Sequence, residues 1–223
     1  MDISQNVQEV NRRIAAACER AGRSPKEVTM VAITKTHDAA TVRAGFEAGL
    51  RHFGENRIQE AKTKLQELED IRKQSTWYMV GHLQTNKVKT AVSLFDIIQS
   101  VDSLKLADFL NRNSENRLPI LLEVNVAEEG TKSGFSFDEV NQAVSEVGRM
   151  PNLEVRGLMT IAPWVSDPEE VRPVFRRLRE LRNSLGLAEL SMGMTDDFEV
   201  AIEEGATSVR IGRAIFGERS CSL

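Results

Sequence analysis

Lys35 closes the first strongly apolar run of the chain, residues 28–34, which read VTMVAIT. A lysine at the exit of such a run has a partly buried stem. Desolvation disfavours its ammonium form and makes the amine a better nucleophile. Schiff-base chemistry needs such an amine. The alternative is a lysine that leaves a strand simply to reach water, and position alone leaves both open.

Two later segments have the composition of a phosphate cradle. Residues 191–195 (SMGMT) form a glycine-containing turn followed by Asp196 and Asp197. Residues 210–213 (RIGR) form a second, with a guanidinium on either side of Gly212. A helix starting at such a turn offers backbone N–H groups and the positive end of its dipole to an anion. Ser191 and Thr195 add hydroxyls, and Arg210 and Arg213 add charge. Ordinary turn chemistry is the alternative, with the two aspartates capping the next helix.

Other chemistries lack their signatures. His37, His52 and His82 share no HxH or HxxxH spacing, and Cys18 and Cys221 form no CxxC pair, so no metal site is expected. Neither a G-x-S-x-G elbow nor a GxxxxGK[ST] loop occurs. Lys and Arg total 29 against 33 Asp and Glu, a net charge of -4. That balance disfavours a dedicated nucleic-acid binder. No run approaches a membrane span and the first residues lack a signal peptide's pattern, so a cytoplasmic location is expected. Only 5% of residues are aromatic, which favours a monomer.

The elements that must position these residues alternate along the chain. A helix over 5–21 comes first. Strands are expected over 28–35, 52–56, 76–83, 97–101, 118–126, 155–161, 190–194 and 208–211. Helices fall at 39–48, 57–73, 85–94, 103–113, 137–150, 168–185 and 196–204, and a tail over 213–223 closes the chain. Strands alternating with helices argue for a parallel sheet covered by helices. Eight such units fit a (β/α)8 barrel near its minimum length, with a doubly wound open sheet as the alternative. No Pro-, Gly- or Ser-rich linker divides the 223 residues, so one domain over 1–223 is expected. In a barrel, sites lie at the C-terminal ends of strands. Those ends carry Lys35, Asn56, His82, Asn125, the 191–195 turn and the 210–213 turn.

With those motifs in view, the chain closely resembles the pyridoxal 5′-phosphate (PLP) homeostasis protein family, single-domain relatives of the alanine racemase barrel. The matching segments are VAITKT around Lys35, FGEN at 53–56, VGHLQTNK at 80–87, KSG at 132–134, GLMTI at 157–161, SMGMTDDFEVAIEEG at 191–205 and VRIGRAIFG at 209–217. The resemblance implies an alanine racemase-like (fold type III) TIM barrel. It implies that Lys35 carries PLP, a vitamin B6 cofactor, as an internal aldimine. Ser191, Thr195, Gly212 and Arg213 would hold the phosphate, Arg210 would face the pyridine nitrogen, and Asn56 and His82 would line the pocket. The chain departs from the family where Tyr78 replaces a frequent histidine, where Arg213 replaces a common threonine, and where 36–41 (THDAAT) lacks a proline.

Facing an arginine, the pyridine nitrogen stays unprotonated and the cofactor is a weaker electron sink. Racemases of this type also use a second base, a tyrosine from an added β-domain. Here the single tyrosine, Tyr78, falls inside the third expected strand, and the chain ends within the barrel. The expectation is therefore a PLP carrier that acts in homeostasis and delivers the cofactor to apo-enzymes without strong catalysis. The alternative is a low-specificity PLP-dependent amino-acid racemase; an aldolase-like barrel without PLP shares only the lysine chemistry. Lys132, in the loop after the fifth strand, is a candidate second amine for transfer, or simply an exposed loop lysine.

Overall fold

The computed structural model describes residues 2–126 and 133–218. Its strands are β1 (Thr29–Ile33), β2 (His52–Glu55), β3 (Thr76–Met79), β4 (Ile97–Val101), β5 (Leu118–Glu123), β6 (Leu153–Met159), β7 (Glu189–Met194) and β8 (Ser208–Ile211). All pair in parallel in chain order, and β8 returns to β1 to close the barrel, with Val31 opposite Arg210. Closure excludes the open sheet. Among the described residues the helices are α1 (Ile3–Arg20), α2 (Ala39–Glu47), α3 (Ile58–Glu67), α4 (Glu69–Arg72), α5 (Val88–Leu94), α6 (Leu104–Asn113), α7 (Phe137–Val147), α8 (Arg172–Ser184), α9 (Phe198–Glu203) and α10 (Arg213–Phe216). No described helix is long and apolar enough to cross a membrane.

Strand alternation divides the core into two layers. Ala32, Phe53, Trp77, Met79 and Ile98 face the helices and join the large outer cluster. Val31, Ile33, Tyr78, Val80 and Ile97 form a small cluster inside the barrel. Toward the C-terminal mouth the interior turns polar, with Gln99, Glu123, Thr160, Ser191 and Arg210 all buried. The leading helix α1 buries Val7, Val10, Ile14, Ala17 and Cys18 along one stripe. Its Asn6 donates to the Ile215 carbonyl at 2.8 Å, which ties α1 to α10.

Several expected elements are cut short, three of them for a clear local reason. The helix expected over 57–73 divides at Leu68, which adopts φ -118°, ψ 25° and is fully buried; its side chain enters the core at the cost of helix continuity. The third strand ends at Met79. Val80 still donates to the Glu55 carbonyl, but Gly81 turns its carbonyl to the Ser100 hydroxyl at 2.7 Å. The fifth stops at Glu123, because Phe135 returns to donate to the Glu123 carbonyl and accept from the Asn125 amide. Lys132 lies outside the described residues.

Candidate active site at the C-terminal mouth

Strand β1 stops at Ile33, Thr34 stays buried, and Lys35 begins a tight turn in which the His37 amide donates to the Thr34 carbonyl at 3.1 Å. Lys35 is half-buried. It lines a cleft of about 480 Å³ shared with His37, Thr195, Asp196, Arg210, Gly212 and Arg213. Residues far apart in sequence therefore meet where β1, β7 and β8 end. A larger, open depression of about 660 Å³, lined by Asp2, Ser4 and Glu47, holds no comparable set of amine and guanidinium groups.

Arg210 forms the floor. It is 5% exposed, with Nη1 donating to Ser191 Oγ at 2.7 Å and Nη2 donating to the Thr160 carbonyl at 2.6 Å. Burial pulls its pKa down to about 10, with Asp197 and Glu123 opposing, so the guanidinium stays charged at neutral pH. Ser191 is fully buried and donates onward to Gln99 Oε1 at 2.8 Å. It sits beneath the cleft rather than in its wall.

The rim is built by β7 and β8. Gly193 has φ +88°, and a Cβ there would lie 2.5 Å from the Ala201 side chain, so the turn requires glycine. Thr195 follows, half-buried in the wall of the cleft. At β8, α10 starts at Arg213 with Gly212 before it, and the first amides of a helix have no intrahelical acceptor. Arg213 Nη2 lies 2.6 Å from each oxygen of Asp196, and both side chains are half-exposed. The aspartates do not cap α9 with their side chains as expected. Asp196 is engaged by Arg213, while Asp197 Oδ1 accepts from the Met194 amide at 2.6 Å. Burial raises the Asp197 carboxyl above the usual range.

Two expected pocket residues stand apart from this cleft. His82 pairs with Asp102 at 2.9 Å, its side chain 60% exposed. Asn56 packs its backbone under Gly81, where a Cβ would lie 2.4 Å from the Asn56 carbonyl oxygen. Asn56 Oδ1 is buried without a hydrogen-bond partner. Tyr78 is neither a surface nor a rim residue. It is buried in the barrel, 3.0 Å from Nδ1 of His52 at the start of β2, toward the end opposite the cleft. Burial and the carboxylates of Glu189 and Asp96 push its pKa up to about 12.

Glu123 was not singled out from the sequence. It ends β5, diametrically opposite β1, and burial with the nearby Asp102 pushes its pKa up to about 7, against the pull of Arg210 and His82. Its signal was legible: it is the lone acid inside the apolar run LPILLEVNV. Among the described residues no group of three or more His, Cys, Asp or Glu side chains is arranged to hold a metal.

A family model for the alanine racemase N-terminal domain matches residues 5–220. The pyridoxal phosphate homeostasis protein of Aquifex aeolicus (strain VF5) is 42% identical over 228 residues, covering 98% of this chain and 99% of that one. The chain belongs to the pyridoxal phosphate homeostasis protein family. Among solved structures, this family member is similar to PipY of Synechococcus elongatus PCC7942 with PLP bound. That match has 35% identity and a TM-score of 0.81, covering 93% of this chain and 100% of PipY. A crystal structure of an unknown protein from Bifidobacterium adolescentis superposes with a TM-score of 0.91 at 36% identity, covering 96% and 94% of the two chains. The closed barrel of this pyridoxal phosphate homeostasis family member is thus matched over nearly its whole length.

Proposed function

We propose that this protein holds pyridoxal 5′-phosphate on Lys35 and serves its intracellular homeostasis, handing the cofactor to apo-enzymes without strong catalysis of its own. The observation that carries the proposal is the convergence of Lys35, Thr195, Arg210, Gly212 and Arg213 on one cleft at the C-terminal mouth. The family names and the PLP bound in PipY support the choice of cofactor.

The donor set fits the group. When bound, PLP supplies an aldehyde that condenses with an amine, and Lys35 offers one at the cleft wall. The phosphate end needs N–H donors and positive charge, and the start of α10 with Thr195 and Arg213 offers both. Arg210 spends two of its five N–H donors on Ser191 and Thr160, which leaves others to donate to the ring nitrogen. A guanidinium there holds its own proton and leaves that nitrogen neutral, which supports retention over turnover.

The test is an absorption spectrum of the purified protein with added PLP, followed by borohydride reduction and peptide mapping. A visible band and a reduced adduct on Lys35 are expected, together with transfer of unreduced cofactor to an apo-enzyme. No band and no adduct would overturn the assignment. The racemase alternative predicts solvent-deuterium exchange at Cα of added amino acids, which a carrier lacks.

A further inference from the structure

The turn that carries Lys35 is held from one side by a single helix. Thr36, the residue after Lys35, has φ +67° and is the one non-glycine residue with positive φ among the described residues. A β-branched residue in the left-handed region is strained, and such a conformation persists only where the surroundings impose it. Helix α3 supplies the restraint. Glu60 Oε2 accepts from the Thr36 amide at 2.9 Å. One helical turn later, Lys64 Nζ donates to the Thr34 carbonyl at 2.5 Å and to Glu55 Oε1 at 2.6 Å.

The Thr34 hydroxyl donates to the same Glu55 oxygen at 2.6 Å, and the Thr34 amide donates to the Gly54 carbonyl at 3.0 Å. Lys64 and Glu55 are both buried, an uncommon position for a charged pair without a structural demand. The residues before and after Lys35 are thus both bonded to α3, at positions i and i+4 on one helix face.

We infer that Glu60 and Lys64 are positioning residues for Lys35: α3 clamps the strained 34–37 turn and so fixes how the Lys35 amine enters the cleft. The inference rests on Lys35 being the cofactor amine, and it adds residues from a helix that does not line the cleft.

The experiment uses the full-length protein with Glu60→Ala, Glu60→Gln, Lys64→Met and the paired Glu55→Gln/Lys64→Met. Circular dichroism in the far ultraviolet first confirms that each variant is folded. In the cofactor-free protein, Lys35 is labelled with trace acetic anhydride across a pH series, and peptide mapping compares it with an exposed lysine such as Lys26. In the presence of PLP, the dichroism of the bound chromophore reports its orientation.

Glu60→Ala and Lys64→Met are expected to displace the Lys35 labelling profile and to weaken PLP binding by about tenfold, the loss typical of a hydrogen bond to a charged group. The chromophore's dichroism should fall with them. Glu60→Gln, which keeps an acceptor for the Thr36 amide, should retain most of both signals. If Lys64→Met does not fold because Glu55 is left alone, the paired variant removes both charges and Glu60→Ala stands independently. Wild-type labelling in folded Glu60→Ala and in either Lys64 variant would overturn the clamp. Because labelling needs no cofactor, that outcome is distinct from a failure of Lys35 to bind PLP at all.

Discussion

Arg210 and Ser191, on neighbouring strands β8 and β7, are joined inside the barrel: Nη1 of the arginine donates to the serine hydroxyl at 2.7 Å. That hydroxyl's own proton goes to Gln99 Oε1 at 2.8 Å. A serine has one O–H to give, so in this arrangement it is spent on the scaffold beneath the cleft. The hydroxyl orients a buried guanidinium whose second Nη is fixed by the Thr160 carbonyl.

Ser191→Ala should therefore destabilise the cofactor-free protein by ~1–2 kcal/mol, the usual cost of removing one partner from a buried hydrogen-bonded group. Thermal unfolding without PLP reads this directly. An unchanged midpoint would mean that the serine does not support Arg210 and that its hydroxyl serves the cleft alone.

The Arg213–Asp196 pair predicts a gain rather than a loss. Both side chains are half-exposed, so the ion pair adds little to stability. It does neutralise a guanidinium at the edge of the cleft that also holds Thr195 and Gly212. Asp196→Ala should leave Arg213 only the exposed Glu218, 3.8 Å from its Nε, and so tighten inorganic phosphate by roughly threefold, an effect that fades with salt. Arg213→Thr should abolish that gain. Titration with inorganic phosphate at two ionic strengths checks both. Weaker phosphate binding in Asp196→Ala would show that the carboxylate instead orders the site.

Glu123 gives a pH dependence of definite sign. Its carboxyl is pushed up to about 7 in the folded chain, above an ordinary value of 4.5. The folded state thus holds the proton more tightly than the unfolded state. The stability linked to that proton is fully present below about 4.5 and is lost as pH rises through about 7. Glu123→Gln, which keeps the neutral shape, should be more stable than the parent at pH 8 by on the order of 3 kcal/mol. Near pH 4 the difference should vanish. Asp197 is shifted in the same direction by burial, so a residual slope should survive the substitution. Urea midpoints at the two pH values measure it, and parallel curves for parent and variant would refute the assignment.

The order of elements was legible because strand and helix periodicities differ, and β4 and β8 fall at their expected bounds. Lys35 was legible because a charged residue at the end of an apolar run has few reasons to be there, and Arg210 because it flanks the Gly212 turn. What escaped was depth. Ser191 and Thr195 lie four residues apart in one turn, yet only Thr195 reaches the cleft wall, because alternation along β7 and the Gly193 turn send Ser191 inward. The Glu55–Lys64 pair escaped for a related reason. Lys64 sits in a helix whose pattern reads as charged surface, and only the packing of α3 on β2 shows that its ammonium is buried.

Gly81 provides the sharpest steric prediction. It follows β3 and lies against the backbone of Asn56 after β2, so a Cβ at 81 would approach Asn56 Cα at 2.7 Å and its carbonyl oxygen at 2.4 Å. Neither is the free end of a flexible side chain, so Gly81→Ala must move backbone rather than a rotamer. Overpacking of this kind costs ~1–3 kcal/mol. The displaced residue is Asn56, one position after Glu55, whose carboxylate is bonded to Lys64 and Thr34. The strain should therefore reach the Lys35 turn. A lower unfolding midpoint is expected together with slower formation of the borohydride-trapped adduct at Lys35. Gly186→Ala is the control: φ there is +65° with nothing within 4 Å of a Cβ, so it introduces left-handed backbone strain away from the site and without any clash. It should lower the midpoint while leaving adduct formation at the parent rate. Equal adduct rates in all three proteins would show that the β2–β3 contact is mechanically separate from the site.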